Sequence, residues 1–87
     1  MNKYQTYLMF CLSEEAAEVI QMVSKSFRFG LLNVKQGEQK TNLERLQEEV
    51  TDLLTVINML KEEQILQNSS DVNIQNKKDR VNKYYID

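Results

Sequence analysis

The chain has 87 residues, enough for one domain over 1–87. At this length a lone core buries only about 60% of the surface the unfolded chain exposes. Its 41% hydrophobic and 28% charged residues are those of a folding, globular sequence, and a net charge of −2 excludes a bulk electrostatic pull toward nucleic acid. There is no histidine, which removes imidazole metal ligands, histidine-dependent triads and Glu-x-x-His di-iron bundles in one step. Any chemistry rests on carboxylates, lysines and hydroxyls.

The only cysteine, Cys11, lies between Phe10 and Leu12 and reads as a buried structural thiol of a reducing compartment. Glu14 and Glu15 interrupt the apolar run from Tyr7 to Leu12, so no signal peptide is expected. No stretch approaches the ~20 apolar residues of a membrane span. The expectation is a cytoplasmic protein that uses neither membrane nor nucleic-acid polymer.

From Tyr4 to about Phe29, Leu8, Leu12, Val19, Met22 and Val23 recur at helical spacing. Gly30 is placed to end this first helix in a left-handed conformation, and Lys25 and Arg28 put positive charge near its C-terminal end. Residues 31–40 read as a loop. Thr41-Asn42-Leu43-Glu44 matches a capping box, and Leu46, Val50, Leu53, Leu54, Ile57 and Leu60 continue a stripe that predicts a second helix to roughly Leu66. After the polar break at 67–71, residues Val72 to Tyr85 form a short, basic, weakly amphipathic helix. The sequence predicts an all-α fold, a helical hairpin plus a C-terminal helix that forms a four-helix bundle by oligomerisation.

On a wheel of about 100° per residue, Leu8, Leu12, Val19 and Met22 span an arc of about 80°, and Glu15 falls inside it. Glu18 sits at its edge, and Glu14 lies further toward solvent. On the second helix Glu49 flanks the apolar stripe, with Asp52 just beyond. Carboxylates three residues apart occupy adjacent turns of one face. Four of them gathered between two helices repel one another unless they share a proton or a cation. Magnesium fits such a set, because it takes oxygen ligands and completes its octahedron with waters and substrate phosphates. The plainer reading of any one pair is a solvated face, which suffices for Glu44, Glu48, Glu62 and Glu63.

Glu14-Glu15-Ala16-Ala17-Glu18, followed by Glu49-Val50-Thr51-Asp52, resembles the E-E-x-x-E and E-x-x-D signature of MazG-like nucleotide pyrophosphohydrolases. These are all-α NTP pyrophosphatases related to dCTP pyrophosphatases and dimeric dUTPases. Leu46 and Leu54 around the second motif fit the same pattern, and the likeness covers the chain from about Leu8 to Tyr85. Lys78-Asp79-Arg80-Val81-Asn82-Lys83-Tyr84-Tyr85 is similar to the K-x-x-x-N-x-x-Y element of the dCTP pyrophosphatase branch.

The resemblance implies cleavage of a (d)NTP between its α- and β-phosphates, giving the monophosphate and pyrophosphate. It implies Mg²⁺, with Mn²⁺ as a substitute, on Glu15, Glu18, Glu49 and Asp52. Glu14 and Glu15 are the catalytic candidates, Glu14 as a base for water. Lys78 and Asn82 are implied to hold phosphates, with Lys25, Lys61 and Arg80 as helpers. The expected assembly is a homodimer or homotetramer. The chain departs from the family in the thirty residues between Glu18 and Glu49, longer than its usual spacing, and in lacking the tryptophan and histidine common in base pockets. Tyr4, Tyr7, Phe10, Phe27 and Phe29 are the aromatic candidates for the base. The alternatives are a non-enzymatic dimeric helical-bundle interaction protein and a nucleotide-binding regulator.

Overall fold

A computed structural model describes residues 1–86. Three helices follow one another, α1 (Lys3–Phe29), α2 (Asn42–Glu62) and α3 (Asp71–Lys83), and no strand forms among the described residues. The fold is all-α.

Local chemistry sets the helix starts. Asn2 and Gln5 close a capping box on α1, Thr41 and Glu44 close the one expected on α2, and the Ser70 hydroxyl caps α3 by accepting from the Asn73 amide. Gly30 ends α1 with φ 98° and its amide donating to the Ser26 carbonyl. Its ψ of 144° departs from the expected left-handed helical value and sends the chain outward into an extended segment. That segment is more than an open loop. Val34 and Thr41 form a single antiparallel bridge, the Asn42 and Leu43 amides donate to the Asn33 and Leu31 carbonyls, and the buried Asn42 side chain donates to the Gly30 carbonyl at 2.9 Å.

The second helix stops at Glu62 and not at Leu66. Gln64 turns left-handed (φ 61°), and the Gln64 and Ile65 amides return to the Lys61 and Leu60 carbonyls. This closure satisfies end carbonyls that a straight continuation would leave to later residues. An apolar stripe marks which face is buried but carries no information about such a stop.

Helices α1 and α2 run antiparallel. The Gln5 side chain donates to the Glu63 carbonyl at one end of the hairpin, and Asn42 meets Gly30 at the other. The interior between them is thin: Leu8, Met22 and Leu60 are the buried apolar residues. Leu12, Val19, Leu46, Val50, Leu53 and Ile57 are only half-covered, and Val23 and Leu54, expected within the stripes, are exposed. Cys11, expected to be buried, is free and half-covered. Among the described residues α3 packs on neither α1 nor α2, and every one of its residues is exposed.

The molecule measures 42 × 36 × 14 Å. Its least dimension is little more than one helix diameter of about 10–12 Å. A domain normally encloses its core between two layers, and this chain by itself supplies one. Its radius of gyration is 16.1 Å, where a globular chain of this length has about 12 Å.

Candidate metal and anion sites

The carboxylates meet at the middle of the hairpin. Glu15 and Glu18 occupy successive turns of α1, Glu49 faces them from α2, and one oxygen from each lies within 4.8 Å of the other two. The cause is local. The positions that pack the apolar stripes together carry Glu15 among them and Glu49 at their edge, so closing the hairpin closes the acids on one another.

Burial pushes the Glu15 carboxyl above its ordinary value, and the charges of Glu18, Asp52 and Glu14 push the same way. Glu49 is also raised, first by a hydrogen bond to Glu18, then by burial and by the charges of Glu18, Asp52 and Glu15. Such a bond requires a proton on one of the two carboxyls. With both ionised neither can donate, and the Oε2 atoms of Glu15 and Glu49 are then covered from solvent and bonded to nothing. Orphaned, buried carboxylate oxygens are costly. They are satisfied by protonation or by a cation, and a set of carboxylate oxygens alone selects a hard divalent ion. The residues present therefore fit such an ion.

Asp52 stands outside the tight trio and is exposed, yet its charge acts on both Glu15 and Glu49. Glu14 is exposed beside the trio. The phosphate-binding candidates divide. Lys78, Arg80 and Asn82 are exposed on α3, which lies apart from the hairpin within one chain. Lys61 sits twelve residues beyond Glu49 on α2, about 18 Å along the helix. Lys25 instead joins a second site.

At the loop end of the hairpin, a cavity of about 410 Å³ is lined by Lys25 and Phe29 of α1, Asn33 and Lys35 of the loop, and Asn42 and Arg45 of α2. Arg45 had no place among the sequence candidates, although the signal was there: it precedes Glu49 by four residues and so shares its face. Lys35 had no signal, because the bridge at Val34 and the amide bonds to Leu31 and Asn33 fix where the loop runs. Of the aromatic candidates, Phe29 lines this cavity with Arg28 5.2 Å from its ring centroid. Phe27 lines an apolar groove with Val23, Leu31 and Leu46. Tyr4, Tyr7 and Phe10 are exposed.

No family model matches the chain, and neither a curated protein nor a solved structure matches it.

Proposed function

We propose that the chain is a MazG-like, Mg²⁺-dependent nucleoside triphosphate pyrophosphohydrolase, converting a (d)NTP and water to the (d)NMP and pyrophosphate. The observation that carries this reading is the convergence of Glu15, Glu18 and Glu49 oxygens within 4.8 Å, two of the three residues holding a covered oxygen without a partner. Surface acids on a solvated face have no reason to be orphaned in this way.

In this reading Glu15, Glu18 and Glu49 hold the ion, and Asp52 completes the set from the next turn of α2. When bound, Mg²⁺ (or Mn²⁺) neutralises charge on phosphate oxygens and lowers the pKa of a coordinated water. The chain's own groups do the rest. The exposed Glu14 carboxylate has room to accept a proton from the attacking water. Lys25 offers its ammonium to phosphate from two turns beyond Glu18. Lys78, Asn82 and Arg80 reach a substrate at these carboxylates only from α3 of another copy, and Lys61 serves only a substrate lying toward the other end of the hairpin.

The same reading makes the working form a homodimer or homotetramer in which hairpins pair into four-helix bundles. The support is surface area. The chain exposes 7335 Å², where a globular monomer of 10.3 kDa exposes about 5,400 Å².

The test is incubation of the full chain with a panel of NTPs and dNTPs, with and without Mg²⁺, followed by assay of pyrophosphate and monophosphate. Metal-dependent release of both from at least one nucleotide, abolished in Glu49→Gln, is the expected result. No product from any nucleotide, with Mg²⁺ binding the same in Glu49→Gln and wild type, would sink the enzyme and leave the interaction protein. Tight nucleotide binding without turnover would leave the regulator.

A further inference from the structure

The carboxylates leave unused the cavity at the loop end, a cationic patch on the hairpin of a net acidic chain. Lys25, Lys35 and Arg45 line it, and none of the three has an acidic partner: the one ion pair among the described residues joins Lys40 to Glu48. Arg45 goes further. Its Nη1 is covered from solvent and bonded to nothing, although a guanidinium presents five donors in a fixed fork. Covered to water, that atom is covered to a ligand as well, so an oxyanion in the cavity that Arg45 lines would be held by the other N–H groups of the fork.

The helix terminus is not the recognising group. The first four amides of α2 already donate, Asn42 to Asn33, Leu43 to Leu31, and Glu44 and Arg45 to Thr41. The side-chain cations are what remains free, with the α2 dipole adding positive potential at its start. The rim is built in advance. The amide bonds to Leu31 and Asn33, the Asn42 bond to Gly30 and the bridge at Val34 hold the loop, and with it Lys35, against the start of α2.

Placement relative to the acids is fixed by helical spacing. Arg45 precedes Glu49 by one turn on the same face, about 6 Å along α2, and Lys25 follows Glu18 by two turns, about 10 Å along α1. Because the helices are antiparallel, both displacements point to the loop end. Acids and cations therefore succeed one another along the hairpin.

We propose that Lys25, Lys35 and Arg45 form a subsite for a phosphate chain, taking the outer phosphates of a nucleoside triphosphate or an inorganic polyphosphate while the inner end lies at the carboxylate trio. The link to the trio rests on the hydrolase reading. The subsite itself does not, and it gives the long segment between the two acidic motifs a task, since Lys35 and Asn33 come from it.

The test is calorimetric titration of the full chain in EDTA, where no metal contributes and no metal-dependent turnover occurs, with inorganic tripolyphosphate and separately with a nucleoside triphosphate. Arg45→Gln is expected to weaken tripolyphosphate binding ten-fold or more and Lys35→Gln several-fold. Lys3→Gln, which removes the same charge at an exposed site on α1, is expected to stay within two-fold. In hydrolysis assays the Arg45 and Lys35 variants raise KM more than they lower kcat. Lys35 is exposed in the loop, so its variant reports even where Arg45→Gln disturbs folding. Equal affinity for tripolyphosphate and nucleotide identifies the phosphate chain alone as the ligand, and tighter nucleotide binding identifies a nucleotide. Tripolyphosphate binding that Arg45→Gln and Lys35→Gln leave at the wild-type level, or no binding by wild type, overturns the subsite even where hydrolysis is found. Binding that depends on Arg45 in a chain without hydrolysis keeps the subsite and discards the hydrolase.

Discussion

Glu18 on α1 and Glu49 on α2 bring carboxylate oxygens within 4.8 Å across the hairpin, and hydrogen bonding to Glu18 is the largest influence raising the Glu49 carboxyl. Two acids in this position favour whichever condition supplies a positive charge between them. Without metal that charge is a proton. Because Glu15 and Glu49 are raised in the folded state, their contribution is fully present below the unfolded value of about 4.3. It is lost as pH rises through their folded values. The melting temperature in EDTA is therefore expected to fall between pH 4.5 and 7.5. Adding Mg²⁺ at pH 7.5 restores it, by about 2.7 kcal/mol at a hundred-fold excess over Kd. Thermal melts across this grid check both signs, and an EDTA profile that rises with pH would contradict the geometry.

Glu49→Gln separates charge from shape. The amide donates to Glu18 as a protonated Glu49 would, and it cannot repel it. In EDTA at pH 7.5 the variant is expected to melt above wild type, and the Mg²⁺-dependent shift is expected to vanish. A thermal shift assay reads both, and a variant that keeps the full Mg²⁺ shift removes Glu49 from the metal site.

The start of α2 titrates in the opposite direction. Glu44 accepts from the Thr41 amide and hydroxyl at 3.1 Å, and the backbone bond is the largest influence holding its carboxyl below the ordinary value. The stability it adds is present above its unfolded value and is lost as pH falls through the lower folded one. Thr41→Ala removes the hydroxyl that the Glu44 amide donates to. It is expected to cost about 1 kcal/mol, or about 4–8 °C in a domain of this size. A chemical denaturation series checks the figure.

Much of this hairpin was legible in the sequence because its signals are local. The Thr41–Glu44 box, the break at Gly30 and the polar break at 67–71 that precedes α3 depend on neighbouring residues and could be read directly. The facing of Glu15 and Glu18 toward Glu49 could be read too, since helical periodicity ties acidic positions to the apolar stripe. What could not be read depends on contacts distant in sequence or on backbone energetics. Lys35 enters the basic cavity only because the Asn42 and Leu43 amides tie the loop to Asn33 and Leu31. Lys78 and Asn82 share a face of α3, but no periodicity states that α3 stays off the hairpin.

The α2 stop gives a prediction of its own. Gln64 holds φ 61°, a conformation that costs a non-glycine residue about 1–2 kcal/mol. Glycine takes it freely and repays part of the gain as unfolded-chain entropy. Gln64→Gly is therefore expected to stabilise by about 0.5–1 kcal/mol, read as a higher denaturation midpoint with unchanged m-value. A loss of stability would show that the glutamine side chain contributes more than its backbone costs.

The single-layer shape makes the last prediction. Ile20, Val23 and Phe27 lie three and four residues apart on α1, forming one stripe beside the face that packs on α2. All three are exposed, Phe27 at 88%. The stripe continues into the apolar groove that Phe27 and Val23 line with Leu31 and Leu46. A second layer laid on this side would bury the stripe without disturbing the hairpin, and it would supply the thickness the chain lacks. In multi-angle light scattering the protein is expected to have twice or four times its 10.3 kDa, with a melting temperature that rises with protein concentration. Phe27→Glu puts a charge into the apolar patch and is expected to shift the mass toward the monomer while circular dichroism retains the helices at low temperature. A wild-type chain that stays monomeric at high concentration, with the same melting temperature throughout, would leave this stripe facing water and would remove any route by which α3 of a second copy brings Lys78 and Asn82 to the carboxylates.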